Sequence, residues 1–290
     1  MIPSPGLLTS LMRSRLLVRR ARATVGIGER RSRNKGSGME FMDYREYQPG
    51  DDVRHLDPHL YARTGGYYVR QHAVYQQLPI GIIVDGSASM NFGAPTKFDF
   101  ACGLASALAF VGLAGGDVIE VGVHGGGRLS WSPRVRGMRR APVIFDWLAA
   151  QHPAGAGFGR ALGDALPRLA HRGLVIVLSD WWVDDIETDL NVLDSLHQEI
   201  FAVHVASPQE LDPALLGTGE TRLVDSESGH EIELFIDQNV LDGYRTARSA
   251  WQERLRRRIT NNLGRYLPVR SDASLDRLLL HDWRWLGLIS

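Results

Sequence analysis

"IGIIVDGSASM", from Ile80 to Met90, decides how this chain is read. Residues able to bury completely lead into an aspartate, and the aspartate leads into two serines spaced by one. A short apolar run of this kind is what a central strand covered on both faces looks like. A second such run, "LVIVLSDWW" from Leu174 to Trp182, also ends on an aspartate, Asp180. Side chains just past the carboxyl ends of parallel strands face the crevice where such sheets bind ligands. If the two strands are neighbours, about 4.8 Å apart, Asp85 and Asp180 converge.

Converging carboxylates repel unless something positive lies between them. Hydroxyls of Ser87 and Ser89 add neutral oxygens on the same turn. An oxygen-only shell with few charges suits a hard divalent ion, Mg2+ before Mn2+ or Ca2+. The predicted metal set is therefore Asp85, Ser87, Ser89 and Asp180, with one exchangeable position left for a carboxylate from another protein. The competing reading is that Asp-x-Ser-x-Ser only makes a turn and caps a helix.

Working outward, strand-like runs alternate with helical ones. Leu78–Val84, Asp117–His124, Leu174–Leu178 and Glu199–Ala206 read as strands. Lys97–Ala114, Ala141–Gln151, Arg160–His171 and Leu190–His197 read as helices, Glu220–Ile236 as a hairpin, and Asn239–Leu263 as a long helix. That alternation predicts an α/β fold with a mainly parallel sheet and helices on both faces. The expected division is a basic helix and loop over 1–38, a segment with short strands over 39–76, the α/β domain over 77–237, and a helical close over 238–290.

The 290 residues carry no net charge, so the whole molecule is not built for polyanions. Nine Arg or Lys residues fall within residues 1–40, on a predicted amphipathic helix, Leu7–Ala21, and a Gly-rich loop. Interleaved leucines favour packing on protein over nucleic acid. The single cysteine, Cys102, lies in an apolar stretch and reads as a small buried hydrophobe, and its isolation suits a reducing compartment. "FACGLASALAFVGLAGG" (Phe100–Gly116) is too short and too rich in small residues for a comfortable membrane span, and reads as a core helix. The start of the chain lacks the unbroken apolar middle of a signal peptide. A cytoplasmic location is expected.

The two aspartate-ended strands resemble the von Willebrand factor A-like domain (a Rossmann-type fold) and its metal-ion-dependent adhesion site. "REYQPGDDVRHLDP" (Arg45–Pro58), "RLVDSESGHEIEL" (Arg222–Leu234) and "YLPVRSDASLDRLLL" (Tyr266–Leu280) extend the match. Together they resemble a bacterial family of uncharacterised function that carries such a domain, from about Gly36 onward. The resemblance implies a protein-binding module and partnership with a MoxR-type AAA+ ATPase in protein assembly or maturation. It also implies a threonine in the loop Pro153–Leu162, where "PAGAGFGRAL" offers no hydroxyl. Pro58 stands where the family has tryptophan, and "ASPQELDP" departs from its Asp-Pro strand end. Members often carry two N-terminal membrane helices, and none is visible in this sequence.

Other candidates are weaker. His55, Asp57 and His59 could bind zinc, but Pro58 prevents a helix that puts both rings on one face. Ser87 or Ser89 as a hydrolase nucleophile lacks the Gly-x-Ser-x-Gly context, so no catalytic activity is expected. "GAGFG" (Gly155–Gly159) is a connection without the Gly-Lys-Ser/Thr of a phosphate loop. Trp181 and Trp182 are expected at a partner interface, one of the pair packing inward. A metal-independent scaffold is the runner-up function.

Overall fold

The computed structural model describes residues 2–18, 39–51, 53, 56–74, 78–170, 173–182, 186–196, 198–262 and 264–290. The chain forms two compact units, Met1–Arg22 with Leu78–Ser290, and Ala23–Gln77.

Helix α1 (Pro5–Leu11) opens the larger unit, with Pro5 in its first turn and the Ser4 hydroxyl accepting from Leu7 N at 3.1 Å. It is shorter than the helix expected over Leu7–Ala21. Past Leu11 the backbone instead pairs with the chain's end: Leu17 N donates to Leu288 O at 2.8 Å and Ser290 N to Arg15 O at 3.0 Å. Long-range pairing thus overrides local helical periodicity here. The basic stretch 19–38 lies outside the described residues.

In the smaller unit, β1 (Met39–Glu46) pairs antiparallel with β2 (Tyr68–Val74), and α2 (Pro58–Thr64) lies between them in sequence. Asp57 caps α2, its Oδ1 accepting from His59 N at 2.9 Å and Leu60 N at 3.2 Å, while the Tyr44 hydroxyl donates to Oδ2 at 2.8 Å. The carboxylate of the zinc candidate is thus spent on a helix cap. His55 falls outside the described residues.

The larger unit is built on a sheet of β3 (Pro79–Val84), β4 (Val118–Gly125), β5 (Arg128–Trp131), β6 (Val135–Arg136), β7 (Leu174–Ser179), β8 (Glu199–Ala206) and β11 (Gly264–Arg270). Its order is β11-β8-β7-β3-β4-β5, with β6 also on β4. The β11/β8, β8/β7, β7/β3 and β3/β4 pairs are parallel, and β5 and β6 run antiparallel to β4. Helices α3 (Lys97–Ala114), α4 (Ala141–Ala149), α5 (Phe158–Asp164), α6 (Leu166–Leu169), α7 (Ile186–Asp194), α8 (Pro208–Leu211), α9 (Gln238–Asn262), α10 (Leu275–Arg277) and α11 (Trp283–Trp285) belong to the unit, with a separate ribbon of β9 (Gly219–Val224) and β10 (Glu231–Ile236). The expected mainly parallel α/β sheet is what the chain adopts.

Both faces of the sheet are covered, and strand alternation shows it. Ile82 and Val84 of β3, Ile176 and Leu178 of β7, and Val203 of β8 join a core with α1, α3 and α4. Their neighbours Ile83, Val175, Val177 and Ala202 join a second core with Leu162, Leu190, Leu255 and Ile259. Successive residues pointing to opposite sides, both dry, explain the unbroken apolar runs. Helix α3 is long and apolar enough to cross a membrane, but it is the buried core helix of this unit, as its composition predicts. Burial there pushes the Cys102 thiol up to about 12, which leaves it protonated and inert. The helical close expected over 238–290 is corrected by β11, which adds an edge strand to the main sheet. The helix expected over Arg160–His171 breaks into α5 and α6, with Pro167 in the first turn of α6.

His204 of β8 is buried beside Tyr266 and Trp251, its Nδ1 hydrogen-bonded to the Tyr266 hydroxyl. Burial first, then the charges of Arg248 and Lys97, lower its pKa to about 3. The unfolded chain therefore binds a proton there that the folded chain refuses. The stability that neutral His204 contributes is full above the unfolded value of about 6.5 and is lost as pH falls towards about 3, by up to roughly 5 kcal/mol. Denaturant unfolding of wild type and His204→Gln between pH 7 and pH 4 should show a shallower acid loss in the variant. Parallel profiles would remove His204 from the acid response.

Candidate functional site at the ends of β3 and β7

Strands β3 and β7 are neighbours, Val84 opposite Leu178, so Asp85 and Asp180 leave the sheet side by side. Asp85 N still donates to Leu178 O at 2.8 Å, which pins the start of the turn. Asp85 Oδ1 accepts from Ser87 N at 2.9 Å and Oδ2 from the Ser179 hydroxyl at 2.6 Å. The Ser87 and Ser89 oxygens lie 2.9 Å apart. Gly86, between Asp85 and Ser87, is obligatory: a Cβ there would sit 2.1 Å from the His124 carbonyl oxygen. The four predicted residues are thus brought to one place, with Asp85 and Asp180 close enough for their charges to repel.

The loop lacking a threonine is docked on this turn through its backbone. Ala154 N donates to Gly86 O at 2.7 Å and Ala88 N to Gly155 O at 2.8 Å. It supports the turn without supplying a hydroxyl.

Three residues that sequence reasoning missed complete the site. Lys97, the first residue of α3, is 1% exposed, and its ammonium donates to Asp180 Oδ2 at 2.7 Å and to Glu210. Glu210 belongs to a capping box on α8, its other oxygen accepting from Ser207 N at 2.7 Å. Burial opposes the charge on Lys97, yet Asp180 and Glu210 together hold its pKa above the ordinary value. Burial lifts Asp180 to about 6 although Lys97 pulls it down, and Asp85 pushes it further up. At neutral pH the pair is ionised on both sides. The third residue is His124, fully buried, with Nδ1 3.7 Å from Asp85 Oδ1. Neither of its ring nitrogens has a hydrogen-bond partner among the described residues.

The tryptophans separate. Trp181 is 2% exposed, its indole N–H donating to Val203 O at 3.3 Å, and it sits at a φ of 60°. Its expected interface role is corrected: it is part of the core on the β7 side. Trp182 is 40% exposed and stacks on Trp251 of α9 with ring centroids 4.3 Å apart.

The sequence profile of a family described as "Protein of unknown function DUF58" matches residues 43–254. The chain belongs to this family. Two relatives are uncharacterized proteins of Mycobacterium bovis and Mycobacterium tuberculosis, each 29% identical over 282 residues, which span 93% of this chain and 87% of the relative. Among solved structures, the DUF58 chain is similar to the SpRpn10 VWA domain, with 11% identity and a TM-score of 0.40, over 69% of this chain and 92% of that one. It is also similar to the pilus adhesin SpaC of Lactobacillus rhamnosus GG, with 10% identity and a TM-score of 0.43, over 75% of this chain and 32% of that one.

Among the described residues no cluster of three or more His, Cys, Asp or Glu side chains stands ready for a metal ion, so a cation at this turn would rest on Asp85 and the two serine hydroxyls. Adjacent oxygens around octahedral Mg2+, at about 2.0–2.1 Å from the ion, stand about 2.9 Å apart, against roughly 3.3–3.7 Å around Ca2+. The Ser87–Ser89 separation of 2.9 Å matches the former. It is also an ordinary hydroxyl hydrogen bond, so charge must decide between a metal and a bare turn. Asp85, Asp180 and Glu210 bring three negative charges, and Lys97 brings one positive charge. Lys97 is bonded to Asp180 and Glu210, which leaves Asp85 with only neutral donors and a histidine.

Proposed function

We propose that this chain is a non-enzymatic protein-binding module whose contact centre is the Asp85–Ser89 turn. Asp85, Ser87 and Ser89 would hold Mg2+, with Asp180 reaching it through water because its Oδ2 is bonded to Lys97. The cation, when bound, supplies an exchangeable position for an oxygen of a client carboxylate. The observation that carries this reading is the charge imbalance: Asp85 has hydroxyl and amide donors but no lysine or arginine among the described residues. Such a group gains most from a cation. Gly86 and the docked loop keep the two hydroxyls in place. The site supports binding over catalysis: the Ser87 and Ser89 oxygens face one another, and His124 hydrogen-bonds to neither among the described residues.

From the family resemblance we take the finer part of the proposal, a MoxR-type AAA+ ATPase as partner in assembly or maturation, in the cytoplasm. Trp182, exposed beside the site, is the aromatic anchor we assign to a partner contact. A second reading is favoured by one observation, the buried Lys97 on Asp180. A lysine there neutralises part of the site internally, as a metal-independent scaffold would need.

Capture experiments separate the two. The tagged 290-residue chain should retain a purified MoxR-type ATPase and a carboxylate-bearing client in Mg2+ and lose the client in EDTA. Equal recovery in both buffers would favour the scaffold.

A further inference from the structure

A cavity of about 210 Å3 lies at the carboxyl ends of β8 and β11, with α8 and α9 as its other walls. Parallel sheets take ligands at that end of their strands. His204 comes from β8, Pro268 and Arg270 from β11, Leu211 from α8, and Arg248 and Gln252 from α9. The sequence of α9 explains its polar wall. Leu255 and Ile259 are buried in the core that also holds Val177 and Ala202. Arg248 and Gln252 continue the same helix face at helical spacing, so a stripe that is apolar under the sheet turns polar where the cavity begins. His204 leaves β8 on the side of Ala202 and is buried, with Pro268 as its partner across the β8/β11 pair. Its ring is fixed by the Tyr266 hydroxyl on Nδ1 and by Trp251, edge-on with centroids 5.4 Å apart.

Charge decides what such a cavity holds. Arg270 is already paired, its guanidinium donating to Asp272 at 2.9 and 2.7 Å. The carboxylates on either side of Leu211 are paired as well, Glu210 with Lys97 and Asp212 with Arg245 at 2.8 Å. Arg248, half-buried, has no ion pair or hydrogen bond among the described residues. One guanidinium therefore stands uncompensated beside the apolar walls of Leu211 and Pro268. A guanidinium binds a carboxylate through two parallel N–H bonds. Its single charge matches a carboxylate better than a phosphate group, which carries about −1.5 to −2. The cavity is smaller than the roughly 300 Å3 at which small-molecule pockets begin, so it admits one side chain and its carboxylate. On a polypeptide, a carboxylate and an aliphatic side chain leave the same carbon only at the C-terminus. We infer that this cavity captures the C-terminal carboxylate of a partner polypeptide whose last residue is aliphatic. Arg248 takes the carboxylate, and Leu211 and Pro268 take the side chain. The cavity shares an end of the sheet with the Asp85–Ser89 turn, since β8, β7 and β3 are parallel neighbours, but it needs no Mg2+.

The probe is the peptide acetyl-Ala-Ala-Leu, as the free acid and as its C-terminal amide, titrated by calorimetry into the 290-residue chain. EDTA is present throughout, so the Asp85–Ser89 turn holds no metal and the outcome is separate from the Mg2+ reading. Wild type should bind the acid at one site and the amide about ten- to hundredfold more weakly, the usual loss of a hydrogen-bonded charge partner. That contrast needs no variant, so it stands whether or not a substitution disturbs folding. Arg248→Met should bind acid and amide alike, at the strength of the wild-type amide. Arg270→Met should keep the preference for the acid, because Arg270 is paired with Asp272. Excess inorganic phosphate should leave the acid bound. Equal binding of acid and amide by wild type, no binding of either, or a preference that survives in Arg248→Met overturns the inference. Displacement by phosphate also overturns it, by showing a general anion site.

Discussion

Lys97→Met is expected to cost about 3–5 kcal/mol of stability, the usual loss when one partner of a buried ion pair is removed. The methionine fills most of the lysine's volume, so the loss is electrostatic. Asp180, 1% exposed, and Glu210 would be left facing each other with no cation between them. At about 2–4 °C per kcal/mol for a chain of this size, the thermal midpoint should fall by on the order of 10 °C. The loss should shrink from pH 7.5 to pH 5, because protonating Asp180 removes the uncompensated charge. Lys97→Arg should not rescue, since a planar guanidinium cannot take the place of a compact ammonium in a dry slot. A midpoint within about 2 °C of wild type for Lys97→Met would show that the ammonium is not the buried counter-charge.

Much of this arrangement was legible before any coordinates. The strands ending in Asp85 and Asp180 announce themselves because both faces are dry and the runs up to Val84 and Leu178 carry no polar side chain. Two acids at the ends of two such strands then point to a site, and β3 and β7 do lie side by side. Strand β11 was not legible. It contains Pro268, is not an unbroken apolar run, and lies at the edge of the sheet, where a missing amide donor is tolerated. Lys97 left a faint signal: it is one of two lysines in an arginine-rich chain, and it opens an otherwise apolar helix where the helix dipole disfavours a cation. Only its partners explain that placement. Glu210 left none, because a capping box accounts for it locally and only the fold brings it to the site.

The second large effect is expected at Trp181. Removing a buried indole costs about 3–5 kcal/mol. Trp181→Ala also deletes the indole N–H bond to Val203 O, which leaves that carbonyl without this donor. The residue sits at a φ of 60° directly after Asp180, so its packing also fixes the turn that presents the carboxylate. Loss of the side chain should therefore reduce stability and loosen the Lys97–Asp180 pair together. Trp182→Ala should cost about 1 kcal/mol or less, since that ring is largely at the surface and stacks on Trp251 alone among the described aromatic pairs. Denaturant melts of both variants check the contrast. Equal losses would mean that the division into one core and one surface tryptophan is wrong.

The central claim is that the oxygens of Asp85, Ser87 and Ser89 form a seat for a small divalent cation. Calorimetric titration of Mg2+ and of Ca2+ into wild type and into Ser87→Ala/Ser89→Ala tests it most directly. The account predicts saturable Mg2+ binding at one site in wild type, weaker Ca2+ binding, and loss of the Mg2+ signal in the double variant. A flat Mg2+ titration of wild type, or the same isotherm in both proteins, would contradict it.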